Sequence, residues 1–396
     1  MPTVAKDTAH ARTGLPFDRI ALLLQGGGAL GSYQAGVYEA LTERALHPDW
    51  VAGISIGAIN SALIAGNAPE DRVAALRAFW ESVTATPFGM PANFWRDMGF
   101  GPPRGDFAHS MLNQARAFGT LLGGAPDFFS PRPWPPFFAV PGTPEAQSFY
   151  DVAPLRATLL RLVDFDRINA GEMRFSVGAV NVCSGNFVYF DNATHTIGPE
   201  HVMASGSLPP GFPATIVDGE PYWDGGLVSN TPLQWVLQDR PRTDTLAFQV
   251  DLWSARGEMP KDLIAQEVRQ KDIRFSSRTR AATDQYKKMQ RLRRALMRLL
   301  DELPDREALA ADPALAELMA EADDKVTQIV HLIYRARNYE GASKDYEFSR
   351  LTMEEHWASG YDDMVRTLDH PDSLARPDSD DGVATFDIAR PDPTRT

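Results

Sequence analysis

Apolar positions along the first 83 residues switch between two spacings. Arg19-Ile-Ala-Leu-Leu-Leu24 is an apolar run of buried-strand length that stops at Gln25-Gly-Gly-Gly-Ala-Leu-Gly31. Val37, Tyr38, Leu41 and Ala45 then recur at helical spacing, which predicts a helix over residues 32–44. Trp50-Val-Ala-Gly-Ile54 reads as a second short strand with Ser55 at its end, followed by a helix of small residues over 57–66. Val73, Leu76, Trp80 and Val83 stripe a further helix. Strands alternating with helices predict a parallel or mixed sheet covered on both faces.

Residues 87–148 break this rhythm. Pro, Gly, Phe and Trp crowd the stretch, as in Pro131-Arg-Pro-Trp-Pro-Pro-Phe-Phe138, with little sustained periodicity. Its aromatics favour an ordered cap, because disordered chains are depleted in them. Phe94, Trp95, Phe128, Phe129, Trp134, Phe137 and Phe138 are too many large apolar groups for a solvated loop and are expected to pack. Asp151 reads as an N-cap. Strands follow at 174–181 and 187–189 around a turn at Ser184-Gly185, and a strand at 245–250 is expected to close the sheet. Beyond 256 the pattern turns helical and charged. Met289, Leu292, Leu296, Leu299, Leu300 and Leu303 mark one amphipathic face. Leu315, Leu318, Met319, Ala322, Val326, Ile329, Val330 and Ile333 mark another, with Pro304 and Pro313 between, as in a helical hairpin. Thr352 and Glu355 read as a capping box, and residues 371–396 as a frayed tail. The expected division is a catalytic domain over 18–255, a helical extension over 256–370 and a disordered tail.

Charge narrows the partners. Among 396 residues, 39 Lys and Arg face 52 Asp and Glu, and a net charge of −13 argues against nucleic acid. The single cysteine, Cys183, cannot form an internal disulfide and is expected to be a small buried apolar residue in a reducing compartment. The N-terminus carries Asp and His where a signal peptide needs a basic and then an apolar region, so a cytoplasmic protein is expected. No apolar run reaches the roughly 20 residues that cross a bilayer, so any membrane contact is expected to be peripheral. Lys287, Lys288, Arg291, Arg293, Arg294 and Arg298 share one helix with the stripe from Met289. Such a helix can lie on anionic lipid, but the plainer reading pairs its charges with the acidic helix that follows.

Two glycine motifs carry candidate chemistry. Gly26-x-Gly28-x-x-Gly31 between strand and helix satisfies the dinucleotide-binding fingerprint, with Asp49 near the expected distance of a ribose-binding acid. Asp49, however, precedes the second strand, and Ser55 follows it. Gly53-Ile-Ser55-Ile-Gly57 is a G-x-S-x-G elbow, a tight strand-to-helix turn that lifts a serine hydroxyl into the open. A serine nucleophile needs an oxyanion hole, which the bare backbone of Gly26, Gly27 and Gly28 at a helix N-terminus can supply. It also needs a base. Trp223-Asp224-Gly225-Gly226 offers an acid leaving a strand into glycines, although a turn aspartate is the commoner role before glycine. His195, His201, His331 and His356 are the candidates for a triad histidine, and none lies in a glycine-flanked loop after a late strand. Nothing in the residues calls for a metal or cofactor.

Together these segments resemble the patatin-like acyl hydrolase family, and Ala204-Ser-Gly-Ser-Leu-Pro-Pro-Gly-Phe-Pro213 resembles its small-residue and proline block before the acid. The resemblance spans about residues 18–251. It implies a three-layer α/β/α fold with a mixed sheet and a Ser55/Asp224 dyad without a catalytic histidine, hydrolysing esters through an acyl-enzyme in a site kept dry by Trp223 and Phe212. The family commonly carries Arg or Lys at the position of Leu30 and Asp or a neutral residue at Gln25, so here the oxyanion donors are the backbone of Gly27 and Gly28. The C-terminal third looks like an extension of unassigned function, without a usable motif. Phospholipid, neutral lipid, short ester, thioester and hydroxyalkanoate oligomer all fit as substrates. A nucleotide-binding enzyme or an inactive lipid-binding protein of the same fold are the alternatives.

Overall fold

The computed structural model describes residues 14–84, 106–276, 279–303, 311–336 and 340–388. Phe94, Trp95, Pro304 and residues 389–396 of the expected tail lie outside them. The strands are β1 (Arg19–Leu24), β2 (Trp50–Ile54), β3 (Ser130–Pro131), β4 (Tyr150–Asp151), β5 (Arg174–Asn181), β6 (Phe187–Asp191), β7 (Thr215–Val217), β8 (Glu220–Asp224), β9 (Thr245–Asp251), β10 (Thr327–Ile333) and β11 (Val383–Phe386). The α-helices of five or more described residues are α1 (Ser32–Glu43), α2 (Ile56–Ala65), α3 (Arg72–Val83), α4 (Asp106–Gly123), α5 (Ala153–Leu162), α6 (Phe165–Ala170), α7 (Pro199–Ser205), α8 (Leu233–Leu237), α9 (Leu263–Phe275), α10 (Thr279–Glu302), α11 (Pro313–Ala320) and α12 (Arg350–Leu368).

Nine of these strands form one mixed sheet, along the path β11-β10-β9-β1-β2-β5-β8-β7 with β6 also on β5. Pairing is parallel from β11 through to β5 and antiparallel around β6, β7 and β8. The central strands are apolar on both sides because both sides are covered. Ile20, Leu22 and Leu24 join one apolar cluster with residues of α1, α2, α3 and α12, whereas Ala21 and Leu23 join a second with α8 and Tyr286 of α10.

The pairing of β5 places the site. Its residues 176–180 pair with β6, residues 174–178 with β2 and residues 179–181 with β8. A strand has two edges, and β6 fills one. The parallel β2 and the antiparallel β8 therefore share the other edge, and their C-terminal ends meet head to head at Gly178 and Ala179.

Several expectations change. The strand at 245–250 lies inside the sheet instead of closing it, because β10 and β11 extend the sheet beyond β9. Val326, Ile329, Val330 and Ile333 belong to or flank β10 and not to the second arm of a helical hairpin. The C-terminal third is therefore only partly helical, and residues 383–386 of the expected tail form a strand. Helix α4 runs through the stretch expected to lack periodicity. Asp151 lies in β4, although its carboxylate does accept the Ala153 N–H at 3.0 Å. Helix α12 starts at Arg350, capped by Ser349, which accepts from the Thr352 N–H. Cys183 is exposed in the β5–β6 turn. The basic face of α10 is partly paired, Arg291 with Asp381 and Arg293 with Glu321, while Arg294 donates to the Ser379 carbonyl. Among the described residues, no helix is long and apolar enough to cross a membrane.

Candidate active site

The abutting ends of β2 and β8 bring Ser55 and Asp224 together in one cavity wall, where the nearby Ser55 hydroxyl favours the charged form of the Asp224 carboxyl. Ser55 has φ 56° and ψ −122°, a left-handed backbone that few L side chains adopt, and α2 begins at the next residue. The turn can be this sharp because Gly53 and Gly57 flank it. A Cβ on Gly53 would overlap the Gly57 carbonyl, and one on Gly57 would overlap the Leu24 carbonyl. Ser205, at the end of α7, accepts the Ser55 N–H at 3.0 Å and donates to the Gly178 carbonyl at 2.6 Å. Two residues on, the Ser207 carbonyl accepts the Asp224 N–H at 3.0 Å. The small-residue block thus ties down the segments that carry Ser55 and Asp224. The sequence contained that block, but only tertiary contact reveals what Ser205 does.

Asp224 is 2% exposed. Burial pushes its carboxyl up to about 6, against the opposing influence of the Ser55 hydroxyl and of the Gly226 N–H, which donates to it at 2.7 Å. Gly225 follows at the crowded junction against Gly178 and Ile54. The glycine loop after β1 lies opposite. The Gly26 N–H donates to the Asn230 carbonyl, so it is already engaged, while Gly27 and Gly28 line the cavity beside Ser55. Gly28 has φ +56°, and a Cβ there would collide with the Asp345 carbonyl, which accepts the Ala29 N–H at 2.8 Å. Gln25 is fully buried and holds the loop to the chain after β9. Its Oε1 accepts the N–H groups of Leu252 and Trp253, and its Nε2 donates to Thr231.

These groups form one wall of a cavity of about 260 Å³. The remaining walls are mostly apolar: Ile59, Leu121, Phe128, Phe129, Phe212 and Phe348, with Tyr150 and Phe275. Phe212 lines the cavity as expected, but Trp223 does not. Of the insertion, Phe128 and Phe129 are buried here, whereas Trp134, Phe137 and Phe138 are 75%, 83% and 81% exposed and do not pack as expected. None of the four histidines lines the cavity. His331 lies in β10, His356 is buried beside Glu340, His201 packs edge-on to Phe190, and His195 is exposed. Asp49 sits at the opposite end of the sheet, accepting the Ile20 N–H at 2.7 Å at the start of β1, so it cannot serve a ligand at the glycine loop. Among the described residues, no group of His, Cys, Asp or Glu is arranged to hold a metal ion.

The family model described as patatin-like phospholipase matches residues 22–237, more than half of the chain. The chain belongs to the patatin-like phospholipase family. A second model, described as patatin phospholipase, matches residues 273–380, so the C-terminal third of this patatin-like protein is itself a recognised part of such chains. No curated protein matches. Among solved structures, VipD from Legionella pneumophila is similar over 93% of this chain and 71% of its own, with 15% identity and a TM-score of 0.37. Family membership places the protein among lipid acyl hydrolases. Its C-terminal third also supplies Phe275, Asp345, Tyr346 and Phe348 to the patatin-like cavity, a contribution the sequence did not signal.

Proposed function

We propose that this patatin-like protein hydrolyses acyl esters of lipids, with Ser55 as nucleophile and Asp224 as its base. The observation that carries the reading is the meeting of the ends of β2 and β8, which sets Ser55 beside a buried carboxyl in one cavity, and burial pushes that carboxyl up to about 6. An ordinary aspartate is a poor base near neutral pH, whereas one near 6 is still ionised at pH 7 and holds a proton far better. Ser55 Oγ attacks the ester carbonyl as Asp224 takes its proton. The N–H groups of Gly27 and Gly28, beside the N-terminus of α1, receive the oxyanion. When the ester C–O bond breaks, Asp224 returns the proton to the departing alcohol. Water then attacks the acyl-enzyme, giving a proton to Asp224, which passes it to Ser55 Oγ as the acyl C–O bond breaks and the carboxylic acid leaves.

The acyl chain fits the aromatic part of the cavity, and Leu30, fully buried, leaves the oxyanion loop without a side-chain cation. A neutral or zwitterionic lipid ester matches that lining better than a strongly anionic one. Trp134, Phe137 and Phe138 lie outside on the segment that reaches the cavity through Phe149 and Tyr150, where they suit peripheral contact with aggregated lipid. A fluorophosphonate probe should label Ser55, and ester hydrolysis should rise with pH through about 6. Unchanged labelling of Ser55→Ala would overturn this reading.

A further inference from the structure

Two ion pairs cross between α9 and the segment before α12. Consecutive residues of opposite charge on the helix, Lys271 and Asp272, meet consecutive residues of opposite charge on the segment, Lys344 and Asp345. Lys271 Nζ lies 2.5 Å from Asp345 Oδ1, and Lys344 Nζ lies 2.6 Å from Asp272 Oδ1. The Lys344 side chain is only 5% exposed, and both lysines face the Trp253 ring. Asp345 is the residue whose carbonyl oxygen accepts from Ala29 and closes on Gly28, and it also lines the cavity. The residue whose backbone braces the loop on which the proposed reaction develops negative charge thus carries a carboxylate at the same cavity.

We infer that Lys271 is a positioning residue for the oxyanion loop: it neutralises the Asp345 carboxylate, so that the segment bracing Gly28 does so without opposing the oxyanion. The inference rests on the reading of Ser55 and Gly28 given above. An unneutralised charge lining the same largely apolar cavity alters a charged transition state far more than it alters a neutral ester. Loss of Lys271 therefore acts through kcat. A role confined to holding the segment in place predicts that removing both charges is no better than removing one. Neutralisation predicts the opposite.

The test is steady-state hydrolysis of a soluble short-chain ester by Lys271→Met and by Lys271→Met/Asp345→Asn, with thermal midpoints. Lys271→Met should lower kcat about tenfold or more with KM changed less than about threefold, and the double variant should recover most of that loss. A double variant as slow as the single one, or a single variant with unchanged kcat, overturns the inference. Should Lys271→Met not fold, Lys271→Gln, uncharged but able to hydrogen-bond Asp345, carries the same outcomes. Failure of the underlying reading looks different, because the unmodified protein would then show no Ser55-dependent hydrolysis to compare.

Discussion

The two walls of the cavity are built by different means. The Ser55 wall is set by backbone: the register of β2 and β8 on β5, the glycine loop after β1, and the backbone N–H groups of Ser55 and Asp224 donating to Ser205 and Ser207. The opposite wall is made of side chains that arrive from loops and from the C-terminal third, such as Phe128, Phe129, Phe212 and Phe348, packed ring against ring. Backbone registry is changed only in whole steps, whereas an aromatic cluster is adjusted one side chain at a time. Chemistry should therefore be brittle in this protein and chain-length preference pliable.

The sharpest way to break that contrast is at Ser55. Ser55→Ala should abolish probe labelling and lower hydrolysis by about 10⁴-fold or more, with the thermal midpoint little changed, because one oxygen is lost and little packing. Asp224→Asn should come next, with turnover down roughly 100- to 10,000-fold. It also carries a stability signature of opposite sign. A carboxyl whose pKa rises from 3.8 to about 6 on folding favours the native state below pH 4, and that contribution is lost as pH rises through 6. At pH 7.5 the asparagine variant should therefore be more stable by roughly 3 kcal/mol, a gain that vanishes near pH 4. An equal gap at both values in denaturant titrations would contradict the buried, ionised state.

Gly28→Ala should cost about 100- to 1000-fold in kcat, since a side chain there must displace the Asp345 carbonyl and with it the proposed oxyanion donors. KM should move much less, and an equal change in both would place the loop in substrate binding instead. On the pliable wall, Phe212→Ala should spare short esters and weaken long ones by up to about tenfold, shifting the acyl-length optimum, because each buried methylene contributes about 0.8 kcal/mol. A uniform loss across chain lengths would assign Phe212 to folding. The smallest effect is expected of Trp134→Ala: hydrolysis of a dissolved ester unchanged, hydrolysis of the same ester in micelles reduced about two- to threefold. Equal rates in both forms would remove Trp134 from any lipid contact.

The same contrast explains what could be read in the sequence. The Ser55 wall is local, because Gly26, Gly27 and Gly28 and then Gly53 and Gly57 leave little room for a Cβ, which leaves a mark in a few neighbouring residues. Asp224 carries a weaker mark, and its role became specific only through the resemblance. Asp345, Phe275 and Phe348 reach the site through tertiary contacts and have no signature of their own, and Ser205 lies in a recognisable block that does not reveal its bond to Ser55. The fold shows a related ambiguity. Val326, Ile329, Val330 and Ile333 fall at helical spacing, yet β10 is covered on both faces, so burial erased the alternation that distinguishes a strand. Helix α4 is hidden in the sequence by the glycines and prolines around it.

That β2 and β8 share one edge of β5 makes the middle strand a ruler for the dyad. The gap between Ser55 and Asp224 is counted in residues of β5, with Ile54 opposite Gly178 and Asp224 opposite Ala179. A slip of one position on either side would move a reacting group by about 3.3 Å and turn its side chain to the other face of the sheet. Loops and termini around this core are free to lengthen or to exchange their aromatics, but an insertion of one residue between Arg174 and Ala179 would leave two intact motifs that no longer meet.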